Sequence, residues 1–179
     1  MSLVPLIEVD AADEAQKAFL AQVPPLNLFK AQANAPLIAT QTAQFGGVIL
    51  FQTDIDPKVR EIAILRAANL LGNRYEIGHH ERIGRDLGMS EAQIAGVRTG
   101  GDRSGLSEAE VIAATWAEEV VGSNRASAEL VARALEVFGP KQTVELSMTV
   151  GYYLMVAYFL ETFEIPFEGA SFEDGVKVS

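Results

Sequence analysis

Asp54-Ile55-Asp56-Pro57 opens a segment with helical periodicity and almost no polar face. Asp56 is suited to cap a helix and Pro57 to occupy its first position, because Pro lacks only an N–H that is unpaired there anyway. The helix carries Ile62, Ala63, Ile64, Leu65, Ala67, Ala68, Leu70 and Leu71. A helix that is apolar nearly all round has to sit in the middle of its domain, so the rest of the chain must be built around it. Gly72-Asn73 breaks the run, and a second helix continues to Leu87-Gly88. The two are expected as adjacent, roughly antiparallel central helices.

Period-2 alternation is missing elsewhere, and helical periodicity recurs. Asp10 or Asp13 caps a first helix that Pro24-Pro25 ends, Leu26 to Ala33 forms a short one, and Pro36 opens a third towards Phe51. Ser90 starts a short helix to Val97, and Ser107 with Glu110 forms a capping box for a helix to about Val121. Ser127 to Phe138 and Lys141 to about Phe163 close the set, with Gly139-Pro140 between them. The expectation is an all-α single-domain bundle of about eight to nine helices. Residues 1–23 read as a helical arm, 24–166 as the domain and 167–179 as a polar tail.

Composition narrows the chemistry. With 179 residues the chain can bury a substantial core, and 49% hydrophobic residues point to surface hidden in an oligomer. A net charge of −10 disfavours nucleic acid, whose phosphates need a basic footprint. Cysteine is absent, which removes thiolate nucleophiles, disulfides and Cys-type metal sites. The N-terminus has no signal-peptide pattern, and the apolar run Met148 to Leu160 falls short of the ~20 residues of a membrane span. No membrane partner and a cytoplasmic location are expected.

The chain has two histidines, His79 and His80, adjacent and one turn after Glu76. Asn73, Glu76 and His80 share a helix face that continues through Ile83 and Leu87, so His80 points inward. A half-buried His beside Glu can move protons, bind a metal or satisfy a core hydrogen bond. His79 turns about 100° away, towards a pocket edge or the surface. Glu61 lies on the packed face of the preceding helix and needs a partner there, either Arg66 or His80. Glu76-x-x-His79-His80 offers ligand types for a metal, but the two histidines diverge and no metal is expected.

At Arg60-Glu61-Ile62-Ala63-Ile64-Leu65-Arg66 and Asn73-Arg74-Tyr75-Glu76-Ile77-Gly78-His79-His80 the chain resembles the carboxymuconolactone decarboxylase and alkylhydroperoxidase D-like family. Gly88 to Ile94 and the Leu106-Ser107-Glu108 helix extend the likeness, from about Pro24 to Pro166. The family's peroxidase branch keeps a Glu, two cysteines and a His at this spacing. Here Glu61 and His80 keep their places, while Asn73 and Glu76 stand at the cysteine positions. The resemblance implies an all-helical fold assembled as a homotrimer or homohexamer, with the site near a subunit interface. It does not imply peroxidase chemistry, which needs one thiol to attack and another to resolve. The decarboxylase branch is the nearer chemical precedent.

On that reading the protein is a cofactor-free lyase for a small carboxylated ring or lactone. His80 donates the proton, with Glu76 and Glu61 tuning it. Arg66 and Arg74 would hold a substrate carboxylate, and Asn73, Tyr75 and His79 would line the substrate. The alternative is a non-catalytic oligomeric member that binds a small molecule. Tyr152, Tyr153, Tyr158 and Phe159 either roof a pocket or simply pack, and Trp116 packs.

Overall fold

The structure, a computed structural model, describes residues 2–168, and all regular structure among them is helical. A 3₁₀ turn at Val9–Ala11 precedes eight helices: α1 (Glu14–Leu20), α2 (Asn27–Gln32), α3 (Pro36–Phe51), α4 (Pro57–Leu71), α5 (Arg74–Asp86), α6 (Glu91–Gly96), α7 (Glu108–Ser123) and α8 (Ala128–Thr162). The expected starts are where the side chains cap. Asp13, Ser90 and Ser107 each form a capping box with the residue three on, and Asp56 accepts from the Lys58 and Val59 amides ahead of Pro57. Gly139, with φ 71° and ψ 174°, breaks α8 next to Pro140, as the Gly-Pro pair led one to expect.

Every residue of α4 from Val59 to Ala68 is buried. The helix is enclosed by α5, α7 and α8, which explains why its sequence shows no polar face. Ile62, Ala63 and Leu65 pack against α7 and α8 around Ile112, Trp116, Leu146 and Val150. Ile64 joins a second core with Ile49, Tyr75, Tyr152, Tyr153 and Val156, under α2.

The N-terminal segment packs onto the domain. Phe19 of α1 is buried edge-on to Phe29, and the Leu3 amide donates to the Phe163 carbonyl. Of the expected tail, residues 169–179 lie outside the described residues. Phe167 packs edge-on to Tyr75 and His79, and an added Cβ at Gly78 would stand 2.6 Å from its ring. One helix, α8, is long and apolar enough by composition to cross a membrane, yet half of that stretch is buried inside the domain. It is a core helix with an interruption at Gly139.

Candidate functional site

Asn73 fixes the start of α5. It is fully buried; its Oδ1 accepts the Glu76 amide at 2.8 Å and its Nδ2 donates to the Ala157 carbonyl at 3.3 Å. That cap sets the rotation of α5, and the rotation turns Tyr75, Glu76, His80 and Gly84 inward. Its buried side chain is thereby committed to holding the helix.

His80 stands between two carboxylates. Its Nδ1 is 2.6 Å from Glu61 Oε2 on α4, and its Nε2 is 3.2 Å from Glu76 Oε2 one turn back on α5. The shorter contact is the one between helices, not the i,i+4 pair. Glu61 has no exposed surface, and its other oxygen accepts from Arg60 Nε at 3.1 Å. Arg60 also donates to the Leu50 carbonyl at 2.8 Å. Arg60, not Arg66, is thus the second partner of Glu61. Arg60, Glu61, His80 and Glu76 form a buried line of alternating charge in which each ion has an opposite neighbour, the condition under which buried charge is tolerated.

Burial by itself pushes the His80 imidazole down in pKa, because it penalises the cation. The Glu61 carboxylate, followed by Glu76, outweighs that and lifts it to about 9. At neutral pH His80 is therefore an imidazolium with both N–H groups donating to carboxylates. The Tyr153 ring meets it edge-on, centroids 4.7 Å apart at 89°.

This line opens on a cavity of about 250 Å³. Glu76, His80 and Tyr153 form its polar wall, and Leu28, Leu50 and Val156 are among its apolar residues. Phe51, Arg82 and Asp86 also line it and are exposed, so the cavity reaches the surface. Glu61 and Arg60 stand behind the wall. Glu76 has one oxygen on His80; its second oxygen makes no hydrogen bond among the described residues. A lone carboxylate oxygen and an apolar chamber are what a ligand entering here would meet.

The other residues singled out in the sequence fall in three places. Tyr75 and His79 line the cavity rim, where they hold Glu168: the Tyr75 hydroxyl donates at 2.8 Å, His79 Nε2 lies at 3.0 Å, and the Asn27 amide donates to the same carboxylate. The Tyr75 hydroxyl accepts the Leu28 amide at 3.1 Å. Burial raises the Glu168 carboxyl, but these hydrogen bonds outweigh it and hold it below the usual range. Arg66 points away from the cavity, donating to Glu118 at 2.5 and 2.8 Å and to the Val97 carbonyl at 3.1 Å. Arg74 is exposed at the first position of α5 and is not among the cavity residues.

Arg60, Arg82 and Glu168 were not singled out by the sequence. For Arg60 a signal existed: an arginine beside Glu61 inside a helix apolar all round has to be paired. Of the aromatics on α8, Tyr152 and Tyr153 line the cavity, whereas Tyr158 is exposed and Phe159 packs in the second core. Among the described residues no three metal-donating side chains converge.

Residues 36–119, which run from α3 through most of α7, match the family described as the Carboxymuconolactone decarboxylase family. The matched stretch contains Arg60, Glu61, Glu76 and His80; the walls supplied by α2 and α8 lie outside it. A comparison with curated proteins gives no match.

Proposed function

Through residues 36–119 this chain belongs to the carboxymuconolactone decarboxylase family, and from that membership we propose that it is a cofactor-free lyase acting on a small carboxylated ring or lactone by proton transfer. The observation that carries the proposal is the lone Glu76 oxygen in the cavity, joined through His80 to buried Glu61. Both His80 nitrogens are engaged, so His80 does not meet the substrate. Glu76 does. When the ring carboxylate leaves as CO₂, its bonding electrons stay on the ring and spread onto the carbonyl oxygen as a dienolate. Glu76 takes the proton from His80 Nε2 and passes it to the ring carbon. Solvent then restores one proton to His80, while Glu61 holds the ring in place and supports its charge. Carbon gains one proton for each CO₂ released.

Arg82 lines the cavity, whereas Arg66 and Arg74 do not. The same reading includes a homotrimer or homohexamer in the cytoplasm. Val144, Met148, Met155 and Tyr158 leave an exposed apolar stripe along α8, and Leu37, Ile38 and Phe51 do so on α3. Such surface is characteristic of subunit contacts.

The second reading is a non-catalytic member that binds a small molecule. It is favoured by Glu168, whose carboxylate already occupies the donors of Tyr75, His79 and Asn27 at the rim. A panel of muconolactones and related carboxylated lactones, assayed in D₂O, separates the two. The lyase should release CO₂ and place one deuterium on the product ring, and Glu76→Gln should abolish both. Binding without turnover would support the second reading, and full activity in Glu76→Gln would refute the first.

A further inference from the structure

Three tyrosines line the cavity, and two have their hydroxyls committed. Tyr75 is held by the Leu28 amide and Glu168, and Tyr152 donates to the Thr42 carbonyl at 3.1 Å. The Tyr153 hydroxyl makes no hydrogen bond among the described residues, although the side chain is only 6% exposed. Tyr153 lines the cavity, so a hydroxyl left unpaired by the protein can donate to a polar atom that enters from outside. Both His80 N–H groups face carboxylates, and Arg60, whose Nη2 is unpaired, is not among the cavity-lining residues.

We propose that the Tyr153 hydroxyl is a catalytic residue that holds the carbonyl oxygen of an unsaturated ring ketone or lactone while Glu76 exchanges a proton with the adjoining carbon framework. This rests on the proton-transfer reading of the site and adds the recognition of the carbonyl to it. The two groups are complementary: Glu76 offers an acceptor, Tyr153 a donor, and the walls between them are apolar. As charge moves from carbon to oxygen, a hydrogen bond to that oxygen strengthens, which is the differential binding that lowers a barrier. Burial first, and then the Glu61 and Glu76 carboxylates, push the phenol well above its usual pKa, so the donor keeps its proton. Tyr153 lies on α8, outside the stretch that matches the family.

The test uses two neutral bicyclic probes that differ at the carbonyl: coumarin, a lactone, and 2H-chromene, the same ring without it. Calorimetry on the intact protein gives the ratio of the two affinities, for the wild type and for Tyr153→Phe, which keeps the ring. The lactone-to-chromene ratio is expected to fall roughly fivefold in Tyr153→Phe, the worth of one neutral hydrogen bond, with chromene affinity unchanged. An unchanged ratio, or no binding of coumarin to the wild type, would overturn the proposal. Binding needs no turnover, so the two readings fail separately. A Tyr153-dependent ratio in a protein that turns over no lactone upholds the carbonyl subsite and counts only against catalysis.

Discussion

His80 shows how much a single side chain depends on what encloses it. An isolated imidazole is mostly neutral at pH 7; between Glu61 and Glu76 it is charged up to about pH 9. A folded-state pKa above the unfolded one stabilises the fold fully below pH 6.5, and that contribution is lost as pH rises through 9. Stability should therefore decline between those limits, by on the order of 3 kcal/mol, with the decline absent in His80→Gln; urea unfolding at stepped pH measures it. For activity on any substrate the lactone panel identifies, His80→Gln should cost at least ~100-fold, as expected for removal of acid–base assistance. His79→Gln should cost far less, because His79 contacts Glu168 at the rim. Comparable losses at the two histidines would refute that division. Steady hydroperoxide turnover with a dithiol reductant is not expected from a chain with no cysteine, and a peroxidase assay checks it. Helical spacing put Glu76 and His80 on one face and left Glu61 to pair with either Arg66 or His80. It could not rank the contacts, because the 2.6 Å approach of Glu61 depends on how closely α4 and α5 pack.

At the scale of elements, local signals were readable and pairwise packing was not. The caps at Asp13, Asp56, Ser90 and Ser107 stand in the sequence because capping is a matter of a few adjacent residues. Asn73 reads in the sequence as a site residue, since an inward polar side chain serves a cap and a substrate equally well until its partners are known. Arg66 and Arg74 read as substrate-binding for the same reason, and Glu118 accounts for Arg66 through a contact 52 positions along the chain. The meeting of α3 with α8 gives a test of packing. Gly46 leaves room for Tyr152, and a Cβ there would come within 2.4 Å of its hydroxyl. Gly46→Ala should lower stability by about 1–3 kcal/mol, the usual cost of overpacking, and weaken ligand binding by moving Tyr152 off the cavity wall. A denaturant melt unchanged from wild type would show that α3 and α8 give way more easily than this packing implies.

For the whole molecule, a bundle centred on α4 was legible because a helix apolar on every side leaves few other arrangements. The cavity was not, because its wall comes from α2, α3, α5 and α8, which no local pattern joins. The exposed apolar stripes on α3 and α8 lead to the expectation of a homotrimer or homohexamer; sedimentation at micromolar concentration checks it, and a monomer would refute it. The proposed function rests on Glu61, His80 and Glu76 acting as one proton relay with a charged imidazole at its centre. It is tested most directly by NMR titration of the imidazole in the intact protein, with His79→Gln leaving a single histidine to follow. The His80 ring should hold both protons at pH 7 and titrate near 9, and Glu61→Gln should bring it down. A ring that is neutral at pH 7, or one whose titration is indifferent to Glu61, would contradict the account.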